Sequence, residues 1–308
     1  MLKLLTYDYR GVSRVGVYVG DKIGHIPRLA GILGRRGLNP AGMVELIENW
    51  EELGPEVCGM AADAEKNAAD LAGVLMDPDD VVFMAPVPNP GRNVLCMGLN
   101  YKDHVNEGLK AKEVQTDKVE LDEPIFFTKA PSTLIGHGAG IPRHNCSKKY
   151  DYEVEIAVII GRSGINIPRE EVYAHVFGYC CANDISARDI QRRHKQIFKG
   201  KTLDRSCPLG PFIVPKEDYG DPMKKTLKSW VNGELRQDST TANMIHDIPG
   251  MLASLSEGLT LKPGDIFLTG TPSGVGYARE TPSFLQPGDV VEVEVEGLGR
   301  LKNPVVEA

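Results

Sequence analysis

The sequence predicts an α+β protein in which a small N-terminal α/β unit (1–85) is joined by a proline-rich connection (86–91) to a larger β-rich domain (92–308). Three observations predict it. Past residue 92 the chain breaks into short apolar runs separated by Gly and Pro turns, with few helical patterns among them. Before residue 85, short alternating runs give way to helical periodicity. Between the two, Ala85-Pro86-Val87-Pro88-Asn89-Pro90-Gly91 sets three prolines at alternate positions, which can continue neither a helix nor a central strand and make a semi-rigid linker.

In the first unit, 2–9 and 13–19 read as strands, and 41–53 and 61–75 as helices. In the second, strands are expected over 93–97, 125–129, 152–161, 175–183, 210–215, 228–232, 265–269 and 290–295, with helices over 186–195 and 247–255. Pro263-Gly264-Asp265 and Pro287-Gly288-Asp289 are turns that each launch a strand. The charged stretch 110–123 has little to bury and reads as a mobile loop able to order over a ligand.

Composition narrows the functional classes. The 308 residues are 42% hydrophobic, ample for a core. The net charge of -7 and the lack of a dense block of Lys and Arg argue against nucleic acid as a partner. The nearest such run, Arg192-Arg193-His194-Lys195, reads as decoration of a helix face. The first residues are too short an apolar run for a signal peptide, and no stretch reaches the ~18 apolar residues of a membrane span, so a cytoplasmic protein is expected. Six cysteines without Cys-x-x-Cys spacing suggest neither a zinc site nor a disulfide framework.

The most informative stretch is Asp151-Tyr152-Glu153-Val154-Glu155-Ile156-Ala157-Val158-Ile159-Ile160-Gly161. Strand side chains alternate, so Glu153, Glu155, Ala157 and Ile159 share a face that runs from charged to apolar. A buried carboxylate pair needs a neutralising cation, so metal ligation and a solvated or salt-bridged pair both stay open. By contrast, Val291-Glu292-Val293-Glu294-Val295-Glu296 alternates without a break, the pattern of a strand with one solvated face. Asp184 closes an apolar run; alone it is a helix-start residue, but beside Glu153 and Glu155 it completes an oxygen site suited to Mg²⁺ or Mn²⁺.

Further candidates surround these acids. His104 and Glu107 stand three apart, the make-up of a general base or of an ordinary surface pair on a helix. Lys201 and Arg188 read by default as solvated cations. The glycine-rich run 268–276 lacks the Lys-Ser/Thr of a phosphate loop and reads as an anion-holding turn whose backbone donors and Thr271 hydroxyl could bind a carboxylate.

Several ordered motifs together resemble the fumarylacetoacetate hydrolase family. They are Gly98-Leu99-Asn100-Tyr101 with His104 and Glu107, Asp151-Tyr152-Glu153-Val154-Glu155, Asn183-Asp184-Ile185-Ser186-Ala187-Arg188-Asp189, Lys201 before Ser206-Cys207-Pro208, Val231-Asn232-Gly233-Glu234, and the 268–276 run. The resemblance implies a β-rich mixed β-roll or sandwich catalytic domain over 92–308 and a homodimer. It implies Mg²⁺ or Mn²⁺ on Glu153, Glu155 and Asp184, with His104, Glu107 and Lys201 catalytic. Arg188, Gln191, Lys129, Thr271 and Tyr101 are the candidate substrate contacts. The expected substrate is a small 2-oxo or 2,4-dioxo acid that chelates the metal through its carboxylate and C2 carbonyl. His104 would draw a proton from water for attack at C4, and C–C cleavage would leave a pyruvate enolate. The leading expectation is thus a metal-dependent hydrolase of acylpyruvate-type C–C bonds. The alternatives are an oxaloacetate decarboxylase, a 5-carboxymethyl-2-hydroxymuconate-type isomerase, or a non-catalytic 2-oxo-acid-binding scaffold.

Overall fold

A computed structural model of the chain describes residues 1–35, 37–111, 123–194 and 196–308. Its frame is an open sheet ordered Lys22–His25, Val12–Val19, Leu4–Tyr9, Cys207–Pro215, Val176–Asn183, Val154–Ile160, Ile266–Leu268, Val94–Gly98 and Ile125–Lys129. A second, five-stranded sheet runs Glu234–Thr240, Thr226–Val231, Val290–Val295, Arg300–Glu307 and Ile141–Arg143. The α+β, sheet-rich class expected from the sequence is the one found.

Alternation along Val154–Ile160 builds two cores at once. All seven residues are buried. Val154, Ile156, Val158 and Ile160 join Leu227, Val293, Val295 and Leu301 of the second sheet and Met251 and Leu252 of the helix Ile248–Ser256. Ala157 and Ile159 point the other way, into a cluster with Leu4, Val57, Met60 and Phe177. Each apolar side chain withdrawn from water in this way contributes roughly 1.5–3 kcal/mol.

Residues before 85 therefore share a core with the main sheet, and Leu4 pairs directly with Ile213. The proline-rich connection is packed rather than free: Ala85 and Val87 are buried, and the Thr6 hydroxyl donates to the Pro86 carbonyl at 2.6 Å.

Several boundaries differ from the sequence reading. The helices expected over 41–53 and 61–75 are Met43–Glu48 and Trp50–Lys66, because Trp50 docks edge-on against Phe177 and Pro55 is accommodated inside the second helix. The helix expected from 186 starts at Arg188, since Ser186–Ala187 pairs with Tyr150–Asp151. Strands Glu234–Thr240 and Arg300–Glu307, absent from the sequence reading, have weaker patterns of their own and are organised by their neighbours. The unbroken alternation at 290–295 holds: Val291, Val293 and Val295 are buried, while Glu292 and Glu294 meet Arg300 at 3.3 and 2.8 Å. The loop expected over 110–123 falls mostly on residues 112–122, which lie outside the described residues. No helix among the described residues is long and apolar enough to cross a membrane.

Candidate active site

Strand register brings the acids together. Val154–Ile160 pairs antiparallel with Val176–Asn183 so that Val154 faces Asn183 and Glu155 faces Ala182. The pairing continues past the strand ends: the Asp184 N–H donates to the Glu153 carbonyl at 2.9 Å, and the Glu153 N–H to Asn183 Oδ1 at 3.0 Å. Glu153 and Glu155 then share a face with Ala157, and Asp184 shares one with Ala182. One oxygen from each of Glu153, Glu155 and Asp184 lies within 4.8 Å of the others, and all three residues are buried.

Three cations brace this cluster. Lys201 Nζ donates to Glu153 Oε2 at 2.6 Å and to Asp184 Oδ2 at 2.7 Å. Lys129 Nζ, fully buried, reaches Asp184 Oδ1 at 2.8 Å and the Ile185 carbonyl at 3.1 Å. Arg188 spans Asp151 Oδ2 at 2.8 Å and Glu153 Oε1 at 2.6 Å. The helix Phe198–Lys201 can approach Arg188–Arg193 closely enough for this because residue 200 is glycine; a Cβ there would meet the Gln191 backbone nitrogen at 2.6 Å.

The electrostatics separate the acids. Burial works to raise Glu153, but the adjoining Lys201 and Arg188 outweigh it and hold its carboxyl at about 2. Glu155 goes the other way, pushed well above the ordinary carboxylate range by burial and by the neighbouring charges of Asp184 and Glu153. Its one strong partner is the Gly270 N–H, at 2.6 Å, and it makes no ion pair among the described residues.

Four buried carboxyl groups, counting Asp151, thus face three fixed cations, so Glu155 has no cation of its own among the described residues and its charged form is disfavoured until one joins it. Three convergent carboxylate oxygens around that deficit fit a hard divalent cation with positions to spare for a ligand.

The glycine-rich run ties the remaining parts together. Gly270 N–H holds Glu155, Gly274 N–H holds Glu107 Oε2 at 2.8 Å, and Gly276 N–H holds Asp151 Oδ1 at 2.7 Å. It is an anion-holding turn as expected, but the anions are the protein's own. The Thr271 hydroxyl is likewise committed, donating to the Val154 carbonyl at 3.0 Å and accepting from Gln237 Nε2 at 2.8 Å. Above the run sits the helix Lys102–Ala111, on which His104 Nδ1 meets Glu107 Oε1 at 2.8 Å. Asn100, bonded to the Thr269 carbonyl at 2.8 Å, anchors the approach to that helix.

A cavity of about 470 Å³ opens over these groups. His104, Glu153, Glu155, Lys201 and Arg188 form its charged end, and Met97, Leu99, Ile125 and Phe127 an apolar wall.

A family model described as the C-terminal domain of fumarylacetoacetate (FAA) hydrolase matches residues 93–306. The chain belongs to the fumarylacetoacetate hydrolase family. Among relatives, an oxaloacetate tautomerase of Bacillus subtilis (strain 168), YisK, is 40% identical over 267 residues, which covers 86% of this chain and 87% of that protein. A fumarylacetoacetate hydrolase from Exiguobacterium antarcticum superposes with a TM-score of 0.79 at 35% identity, covering 100% of both chains. A maleylpyruvate hydrolase from Sphingobium sp. SYK-6, solved with manganese(II) and pyruvate, superposes at 0.74 with 29% identity over 99% of each chain.

Within this fumarylacetoacetate hydrolase fold, the residues singled out in the sequence occupy different depths. Arg188, Gln191 and Thr271 line the cavity, whereas Tyr101 and Lys129 do not. Tyr101 is fully buried beneath it, its hydroxyl without a partner among the described residues. Lys129 is fully buried, with its ammonium on the Asp184 carboxylate. The basic run after Arg188 is more than decoration, because Arg192 and His194 line the cavity. Sequence reading also passed over Asp151, the buried partner of Arg188, and Tyr277, whose ring lies 4.5 Å from the Arg188 guanidinium carbon. Neither carries a local signal, since each acquires its role from a partner distant in sequence.

Proposed function

We propose that this protein is a divalent-metal-dependent enzyme that moves a proton at the carbon beside the carbonyl of short 2-oxo acids, with keto–enol tautomerisation of oxaloacetate as its leading activity. The observation that carries the reading is the placement of His104, paired with Glu107, on the same cavity as Glu153 and Glu155, whose carboxylates cluster with that of Asp184. The identity to an oxaloacetate tautomerase, 40% over most of both chains, favours tautomerisation within that chemistry. Mg²⁺ or Mn²⁺ held by Glu153, Glu155 and Asp184 would supply Lewis-acid polarisation of a 2-oxo carboxylate.

The chain's own residues do the rest. Glu107 engages His104 Nδ1 and leaves Nε2 to take a proton from, or return it to, the carbon or oxygen of the substrate. Lys201, held between Glu153 and Asp184, keeps positive charge beside the oxygen on which enolate charge develops. Arg188, pinned by Asp151, fixes the orientation of Glu153.

A second reading, hydrolysis of the C–C bond of acylpyruvate-type 2,4-dioxo acids, uses His104 to deprotonate water instead. The likeness to a maleylpyruvate hydrolase solved with manganese(II) and pyruvate supports it. Decarboxylation of oxaloacetate reaches the same enolate.

The test is a panel of oxaloacetate, acetylpyruvate and maleylpyruvate with Mg²⁺ or Mn²⁺, following enol absorbance and pyruvate release. His104→Gln should lower the leading activity by about 10²–10⁴-fold. No rate above the uncatalysed background on any substrate, or a His104→Gln enzyme within a few-fold of the parent, would sink the reading.

A further inference from the structure

The cations around the cavity differ in how they are committed. Arg188 is spent on Asp151 and Glu153, and Lys201 on Glu153 and Asp184. Arg192 also lines the cavity, yet among the described residues it has no carboxylate partner. It stands four residues after Arg188 on the helix Arg188–Arg193, so both project from one helix face towards the same space. Its guanidinium carbon lies 5.7 Å from the centre of the Tyr277 ring. That ring is itself held in place: the Tyr277 N–H donates to Asp151 Oδ2 at 3.1 Å, and its hydroxyl abuts Gly108, where a Cβ would approach within 2.9 Å. His194, just beyond the helix, borders the cavity beside Arg192.

The cavity is therefore polarised. One end holds Glu153 and Glu155, one wall is apolar, and a further flank presents the exposed Arg192 guanidinium beside the Tyr277 ring, on which Arg188 lies nearer, with no acid of its own among the described residues. A monocarboxylic 2-oxo acid leaves that cation facing water. A substrate with a second carboxylate satisfies it through a charge-assisted, two-pronged hydrogen bond, and the Tyr277 face limits the orientations the guanidinium must give up on binding.

We infer that Arg192, supported by Tyr277 and flanked by His194, binds the distal carboxylate of the substrate and selects 2-oxo dicarboxylates over acylpyruvates with an apolar tail. This rests on the 2-oxo-acid reading above and names the substrate class within it. Arg192 acts as a specificity residue, remote from the proton transfer.

The experiment compares parent, Arg192→Met and Arg192→Lys on maleylpyruvate and oxaloacetate, which carry a distal carboxylate, and on acetylpyruvate, which ends in a methyl group. Binding of oxalate, which has no distal arm, is measured in parallel by calorimetry with Mn²⁺ present. For Arg192→Met, kcat/KM on whichever dicarboxylate is turned over should fall about ten- to hundred-fold, mainly through KM, as expected for loss of a hydrogen bond to a charged group. Acetylpyruvate kinetics and oxalate affinity should stay within about two-fold. Arg192→Lys should recover part of the loss, since it keeps the charge but not the planar fork. Equal losses on all substrates, or no loss on any, overturn the inference while leaving the 2-oxo-acid reading intact. If the parent turns over only acetylpyruvate, the inference fails and the hydrolase reading stands. No turnover by the parent of any of the three defeats the functional reading itself, whereas intact oxalate binding still separates that outcome from misfolding.

Discussion

At the scale of single residues, Glu155 decides what the centre needs. Glu153 and Asp184 each meet Lys201, and Asp184 also meets Lys129, while Glu155 has the Gly270 N–H and two negative neighbours. A carboxylate in that position is destabilising until a cation joins it. Glu155→Gln should therefore melt no lower than the parent without metal, because the charged form of Glu155 is already disfavoured there and the amide oxygen can still accept from Gly270. The rise in Tm that Mg²⁺ or Mn²⁺ produces in the parent should be lost, since one of three ligands is gone. Thermal melts of both proteins with and without metal check this; a full metal-dependent shift in the variant would remove Glu155 from the ligand set. Glu153, Glu155 and Asp184 were legible as candidates because strand alternation and an abrupt apolar-to-acidic change are local signals. The burial of Lys129 and Arg188 was not, because each is paid for by partners 55, 37 and 35 positions away.

At the scale of elements, the glycine-rich run from Leu268 to Gly276 connects the acids to the base. Gly274 has φ of +100°, and a Cβ there would lie 2.2 Å from the Arg236 carbonyl oxygen, so another residue must displace the loop. Its N–H is what holds Glu107 Oε2. Gly274→Ala should lower kcat about ten-fold or more by loosening the His104–Glu107 pair, with Mn²⁺ affinity affected less, because Glu153 and Asp184 are held outside the run and Glu155 by Gly270, four residues before the substitution. Steady-state kinetics beside a Mn²⁺ titration separate the two; parallel loss of metal binding would mean that the substitution disrupts the whole centre. The composition of the run announced an anion-binding turn, yet the identity of its anions comes from the strands that pack against it.

At the scale of the whole molecule, the core is continuous from the first strand to the face of the main sheet that carries Glu155. Leu4, Val57 and Met60 pack in the same cluster as Ala157, Ile159 and Phe177, directly along the strand face that ends in Glu155. The chain should therefore unfold in one cooperative transition, with calorimetric and van't Hoff enthalpies in agreement. Two resolved transitions in metal-free protein would show that residues before 85 form an independent unit despite the shared core.

Much of this architecture is written locally. The sheet-rich class, the two faces of Val154–Ile160, the solvated face at 290–295 and the acids of the centre follow from side-chain alternation and from where Gly and Pro interrupt it, both of which act over a few residues. What needed the folded chain is the pairing of charges and the shape of the cavity. Register across Val154–Ile160 and Val176–Asn183 sets Asp184 beside Glu153, a turn 115 residues away supplies the N–H for Glu155, and the helix Arg188–Arg193 sets Arg192 at the rim of the cavity. Those arrangements depend on which distant elements pack together, and a buried charge takes its meaning from that packing alone.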